Sequence, residues 1–176
     1  MKHNDIKSAR LNMTLVKKEH APIVHSAFQD HELFTFLPND PPLLSKLEDQ
    51  YSFWEGRVSP DGSEYWLNYV VFLLSSGEFI GTLQAGVHRD TKEASIAYVI
   101  ASQFQGVGLG TEMTQALVEH LKSSYGVRCI KAWIDTRNIA SIRLVQKLGM
   151  SQVDLIKNAD HFKGCPSDEY IFQMDL

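Results

Sequence analysis

Gln105-Gly106-Val107-Gly108-Leu109-Gly110-Thr111 is the stretch that decides how the rest of this chain is read. Three glycines alternate with other residues just before an amphipathic run, Leu109, Met113, Ala116, Leu117 and Leu121. Glycine turns the backbone with positive φ and lets a ligand reach the amides with no Cβ in the way. A helix opening there offers several unpaired N–H groups and a partial positive charge, which suits a pyrophosphate. A tight-packing or capping turn would use the same residues. Two phosphate loops fail on spacing. A P-loop ends in Gly-Lys-Ser/Thr, whereas Leu109-Gly110-Thr111 follows Gly108. The dinucleotide fingerprint finds Thr111 or Met113 where its third glycine belongs.

The residues before the turn read as an antiparallel meander. Trp66 to Leu74 and Phe79 to Val87 are rich in β-branched and aromatic residues and are joined by Ser75-Ser76-Gly77-Glu78. Arg89-Asp90-Thr91-Lys92 makes the next turn, and in Ala94 to Ile100 small or polar Ser95, Ala97 and Val99 alternate with Ile96, Tyr98 and Ile100. Loops this short join antiparallel neighbours, because a parallel crossover needs a dozen residues or more.

Further out, Asn12 to Val16 reads as a strand. Ala21 to Gln29 reads as a helix with Ile23, Val24, Ala27 and Phe28 on one face. Leu43, Leu47, Tyr51 and Trp54 mark a second helix, from a Ser45 or Asp40 cap to Gly56. After the glycine turn and its helix come a strand over Val127 to Ile134, buried enough to hold Cys129 and Trp133, and a helix over Asn138 to Leu148 that Gly149 ends. Strands at Gln152 to Ile156 and Tyr170 to Met174, separated by a polar loop over Lys157 to Glu169, complete the order β-α-α-β-β-β-α-β-α-β-β. That order predicts an α/β (α+β) fold, a mixed sheet with helices on its faces.

The whole-chain numbers bound the function. In 176 residues, 17 Lys and Arg stand against 21 Asp and Glu, a net charge of −4, and the expectation is one soluble domain over 1–176. The longest basic run is Lys17-Lys18, so binding to nucleic acid through a basic field is not expected. No eighteen-residue apolar stretch and no signal-like segment in the first thirty residues point to the cytoplasm. His161 and Cys165 have half of a zinc spacing with no second pair to complete it, so no metal is expected.

The motifs together resemble the GNAT superfamily of N-acetyltransferases. Gln105-x-x-Gly108-x-Gly110 is similar to its acetyl-CoA pyrophosphate loop. Asn138-Ile139-Ala140-Ser141 running on to Lys147-Leu148-Gly149-Met150 is similar to its Asn-x-x-Ser and Lys-x-Gly segments, with Met150 in an aromatic's place. Ala94-Ser95-Ile96-Ala97-Tyr98-Val99-Ile100-Ala101 resembles its central strand. Phe36-Leu37-Pro38 and Pro166-Ser167-Asp168-Glu169-Tyr170 extend the likeness over almost the whole chain, closest to the ribosomal-protein alanine acetyltransferase-like branch.

The resemblance implies a bulge at Tyr98 and Val99 and a sheet that splays into a slot for pantetheine. Amides of Val99, Ile100 and Ala101 are then expected at the acetyl carbonyl. The N–H groups of Gln105, Gly106, Val107, Gly108, Leu109, Gly110 and Thr111 are expected at the pyrophosphate, and Asn138 at the pantetheine arm or orienting the thioester. The family's Tyr acid is replaced by Val145, and Ser141 is the substitute proton donor; a local backbone bond is its other reading. Ser95 stands where a Glu base often does, which leaves Asp160 acting through water, or else as an ordinary loop carboxylate.

The remaining candidates carry two readings each. Tyr98 is expected in the core, with its hydroxyl at the slot as the other reading, and Cys129 in the core rather than as a nucleophile; Arg143 and Lys147 belong on a solvated helix face or near the 3′-phosphate or adenine. Phe34, Phe36, Tyr51 and Trp54 belong to the acceptor wall or the core, and His161, Asp168 and Glu169 to the acceptor mouth or the solvated surface. The expected reaction is acetyl transfer from acetyl-CoA to a protein N-terminal or small-molecule amine; family members often pair, and the sequence leaves monomer and homodimer both open. The alternative is a non-catalytic acyl-CoA sensor on the same fold.

Overall fold

The computed structural model describes residues 3–176. One eight-stranded sheet runs in the order β1-β2-β3-β4-β5-β6-β8-β7. Its strands are β1 Ile6–Lys7, β2 Leu11–Leu15, β3 Glu64–Leu73, β4 Phe79–His88, β5 Glu93–Ile100, β6 Cys129–Asp135, β7 Ser151–Phe162 and β8 Cys165–Asp175. Four helices accompany them: α1 Ala21–Ala27, α2 Leu44–Trp54, α3 Leu109–His120 and α4 Ile139–Lys147. The mixed α/β expectation holds, with β1 added as a short strand paired to β2.

Period-two burial assigns the two faces of β5. Ala94 and Ile96 are buried, and Tyr98 and Ile100 are half-buried, on the side of α3 and α4; Ser95 and Ala97 are exposed on the other side. The first face packs Leu83, Ile96, Ile130 and Ile134 against Met113 and Leu117 of α3 and Val145 of α4. A second core lies under α1 and α2, where Val24, Phe28, Leu47 and Tyr51 meet Val70 and Phe79 of the sheet. Pro22 sits in the first turn of α1, where its missing N–H removes no helical bond.

Several local expectations are corrected. In α1 the face is Ala21, Val24 and Phe28, and Ile23 is exposed, because the helix is short and only that stripe reaches the sheet. Leu43 is the N-cap of α2, with no capping bond from Ser45 or Asp40. Trp133 is 45% exposed, since neighbouring β5 no longer covers it at that level. The polar loop over Lys157 to Glu169 is instead a long β-hairpin, turning at Lys163 and Gly164 with φ of 52° and 77°. Its side chains are polar because β7 is an exposed edge strand, and polarity alone does not separate such a strand from a loop.

The splay arises without the expected bulge. The β4–β5 ladder keeps one register from Val87↔Ala94 to Gly81↔Ile100. The parallel β5–β6 ladder stops at Ser95↔Lys131, while β6 stays paired with β8 as far as Asp135↔Glu169. β5 thus follows β4 and β6 follows β8, which opens a slot between them. Gly81 allows this course: a Cβ there would lie 2.2 Å from the Val99 carbonyl oxygen.

Candidate active site

The glycine turn meets the slot at the end of β5. Gly106 and Gly108 take the left-handed conformation (φ 78° and 83°), and Gly108 is the N-cap of α3. Gly110 lies in the helix, and serves close packing rather than turning; a Cβ on it would come within 2.4 Å of Ile100 Cδ1 and 2.9 Å of Leu144 Cδ1. No side chain caps α3, and its first helical bond is Glu112 N–H to Gly108 O. The N–H groups of Leu109, Gly110 and Thr111 therefore start the helix with no helical partner, an anion-binding arrangement.

Three cationic side chains lie around this turn, one of them paired with an acid of α3. Arg10, the residue before β2, donates from Nε to Glu112 Oε2 (2.6 Å) and reaches the Val107 carbonyl at 3.4 Å. Arg143 and Lys147 line the same cleft as Gly106, Gly108, Gly110 and Thr111, so the cofactor-side reading of these two residues is the one their position supports.

The cleft encloses about 410 Å³ and runs from the glycine turn to the end of β5 at Tyr98 to Ile100 and the start of α4. Of the expected site residues it brings together Val99, Ile100, Gln105, Gly106, Gly108, Gly110, Thr111, Asn138 and Ser141. Ala101 and Leu109 are buried, and Val107 points outward at 59% exposure. Glu32, Leu33, Phe36 and Leu37, from the connection between α1 and α2, cross over as the remaining wall. That connection is tied down twice: Ser102 Oγ donates to Asp30 Oδ2 (2.5 Å), and Lys163 Nζ of the hairpin turn donates to the Phe34 carbonyl.

Ladder alternation decides which amides face the slot. Ala101 N–H donates to Ile80 O (2.9 Å), so the odd-numbered residues of β5, Val99 included, bond to β4. Tyr98 and Ile100 direct their backbone groups to the open side, and the Ile100 carbonyl accepts from the Gln105 side chain at 3.0 Å. The expected trio Val99, Ile100 and Ala101 thus reduces to Ile100, joined by Tyr98. The cause is the missing bulge.

Asn138 and Ser141 open α4. The Asn138 carboxamide oxygen accepts from Ser141 N–H (3.1 Å), so the cap belongs to Asn138 and the Ser141 hydroxyl is not the capping group. Tyr98 passes under α4, and its hydroxyl donates to the Ser141 carbonyl oxygen at 3.4 Å. Burial pushes the Tyr98 phenol up to about 12, so it keeps its proton at neutral pH. Val145, in the family's Tyr position, is fully buried core.

Asp160 lies on exposed β7 outside the cleft, its Oδ1 accepting from the His161 N–H. Glu169 pairs with Asp135 across β6–β8 and with Ile156 across β7–β8, which puts it on the same sheet face as Trp133. Burial first, then the negative charges of Asp160 and Asp135, raise the Glu169 pKa. Asp135 is held down to about 2, first by the Arg137 side chain, with Ser167 also donating. Phe34 and Tyr51 are core, Cys129 is half-buried with burial raising its thiol pKa, and His161 and Cys165 sit on opposite strands of the hairpin.

A sequence profile described as an acetyltransferase (GNAT) domain matches residues 10–151. The chain belongs to the GNAT acetyltransferase family. Among curated relatives, it is 24% identical over 107 residues to the uncharacterized N-acetyltransferase p20 of Bacillus licheniformis, covering 60% of each chain. It is 33% identical over 86 residues to the spermine/spermidine N(1)-acetyltransferase of Bacillus subtilis (strain 168), covering 45% of this chain and 57% of the relative. The chain thus spans about three fifths of the length of these two relatives. Among solved structures, RimL, a ribosomal L7/L12 alpha-N-protein acetyltransferase in complex with coenzyme A, superposes with a TM-score of 0.85 at 19% identity, over 98% of both chains. That similarity establishes the GNAT fold.

Tyr98, Gly81 and Arg10 are the site residues that sequence reasoning missed or set aside. Glycine inside a β-branched strand was a usable signal for Gly81. Nothing local marks Arg10, which comes to the turn from about a hundred residues away in the chain.

Proposed function

We propose that this protein is an acetyl-CoA-dependent N-acetyltransferase whose acceptor amine attacks the thioester directly. One observation carries the reading: the uncapped start of α3 and the end of β5 beyond its ladder with β6 line a single cleft. The first supports a pyrophosphate grip, and the second a place for the pantetheine arm. Acetyl-CoA supplies the activated acyl group. The residues present fit it, with Gly106 leaving open backbone at the turn and Arg143 and Lys147 lining the same cleft.

The chain's own groups meet the demands of the transfer. As the amine nitrogen bonds to the acetyl carbon, the carbonyl oxygen gains charge, and the N–H groups of Tyr98 and Ile100 are directed to the open side to stabilise it. When the C–S bond breaks, the thiolate needs a proton, for which the Ser141 hydroxyl is the proposed donor and the Tyr98 hydroxyl its neighbour. The amine's surplus proton leaves through water, and Glu169, whose affinity for it is raised by burial, is the proposed acceptor; Asp160 lies farther out on the exposed strand.

The acceptor is proposed as a small cationic amine. The net charge of −4 disfavours polyanions, and a relative bears the name of a spermine/spermidine acetyltransferase. The test is thiol release from acetyl-CoA over an amine panel, with product mass read alongside. Release with acetylated amine is the expected result. Coenzyme A binding without release from any amine would favour the non-catalytic sensor instead.

A further inference from the structure

We propose that a cleft on the sheet face opposite α3 and α4 holds a second, non-reacting ammonium group of the acceptor, which makes the preferred substrate an elongated diamine or polyamine. The proposal rests on the acetyl-transfer reading above and names the substrate class for it.

All three tryptophans of the chain, Trp54, Trp66 and Trp133, line this one cleft of about 420 Å³. They come from α2, β3 and β6, so no local sequence pattern gathers them. Two are held by neighbouring rings: Trp54 stacks with Tyr51 (centroids 5.7 Å apart), and Trp66 meets Phe53 edge-on (5.9 Å). Trp133 is 45% exposed where the β5–β6 ladder has already ended, so its indole stands beside the slot. Indole faces attract a desolvated cation more strongly than any other side-chain ring.

Among these rings is one carboxylate. Trp66 Nε1 donates to Glu64 Oε2 at 3.0 Å, which orients the group and leaves its other oxygen for a ligand. Gly86 keeps the floor open: a Cβ there would lie 3.4 Å from Glu64 Oε2 and 3.0 Å from Ser95 Oγ. Asn68 and Gln84, paired across β3–β4, line the same cleft with carboxamides. The nearby cation, Lys131, is paired with Glu93 at 3.1 Å. Aromatic faces, one carboxylate and neutral amides are a combination for an alkylammonium ion, and they offer no cationic group to bind a carboxylate or phosphate.

The cleft and the slot share β5. Ala97 lines the first and Val99 the second, on the same face of the strand and about 7 Å apart. The Glu64 carboxylate lies over Gly86, whose register partner is Ser95. From there to the open amides of Tyr98 is about 10–12 Å, from strand rise and spacing. A substrate reaching both places carries two nitrogens about that far apart.

The probe is 1,8-diaminooctane, with octylamine as its monocationic counterpart. Diaminooctane is expected to change the intrinsic tryptophan fluorescence, because all three indoles line its site, and to bind at least about tenfold tighter than octylamine. Glu64→Gln should reduce that preference to under about threefold, and Trp133→Phe should weaken it less. Unaltered acetyl-CoA binding by both variants shows that they are folded. Equal affinity for the two amines, or a preference that survives Glu64→Gln, would overturn the proposal. Acetylation of octylamine without a diamine preference would sink this inference and leave the transferase reading standing. Selective diamine binding with no thiol release from any amine would do the reverse.

Discussion

At the scale of the residue, two carboxylates on one sheet face are driven in opposite directions. Asp135 is buried and takes hydrogen bonds from Arg137 and Ser167, so its folded pKa of about 2 lies below its ordinary value. Its stabilising contribution is complete above about pH 4 and is lost as pH falls toward 2. Asp135→Ala is expected to cost about 2 kcal/mol at pH 7 and much less at pH 2, measured by urea unfolding at both. Glu169 is the opposite case, because burial and its acidic neighbours disfavour its charge. Stability is lost as pH rises through its raised pKa, so Glu169→Gln should raise Tm at pH 7 and leave it unchanged well below pH 4. The same substitution should lower kcat/KM by about tenfold or more if Glu169 accepts the ammonium proton. At the thioester, Ser141→Ala should lower kcat by about tenfold with little change in acetyl-CoA affinity, and Tyr98→Phe should deepen the loss in the double variant. An unchanged kcat in Ser141→Ala would remove the hydroxyl from the mechanism.

At the scale of the element, glycines set the distances within the site. Ala at 81 would press its Cβ onto the Val99 carbonyl oxygen, a backbone atom that cannot turn away, and the β4–β5 ladder would shift where it borders the slot. A loss of at least about 2 kcal/mol is expected, together with weaker coenzyme A binding. Gly110→Ala meets the ends of Ile100 and Leu144, which can move. Better helix propensity offsets part of the crowding, for a net loss of about 1 kcal/mol, or roughly 2–4 °C in Tm. Gly108→Trp should abolish coenzyme A binding while the protein still melts cooperatively, and wild-type affinity would refute the anion site at α3. Local pattern identified the meander, α3, α4 and the turn because alternation and helical spacing are short-range properties. It misread the hairpin over β7 and β8, whose edge strand has no buried face to impose a hydrophobic period.

At the scale of the whole molecule, the cleft is closed by segments distant in sequence. The Asp30–Ser102 bond holds the α1–α2 connection to the end of β5, and hydrogen bonds from Ser102 and from the Glu32 N–H lower the Asp30 pKa. Asp30→Ala should speed coenzyme A release several-fold while Tm changes little, because the residue lies in a surface connection. Among the described residues no helix is long and apolar enough to cross a membrane. The sequence by itself determined the order of the elements from β2 onward, the glycine turn and its agreement with the GNAT motifs, because each depends on residues within a few positions of one another. Only the tertiary structure decided that Tyr98 and Ile100, not Val99 and Ala101, present open amides, since that follows from the register with β4 and the early end of the β5–β6 ladder. It likewise decided that Trp54, Trp66 and Trp133 surround one cleft and that Asp160 lies outside the other. Such groupings depend on which strands lie side by side, and long-range pairing leaves no periodicity in a single stretch of chain.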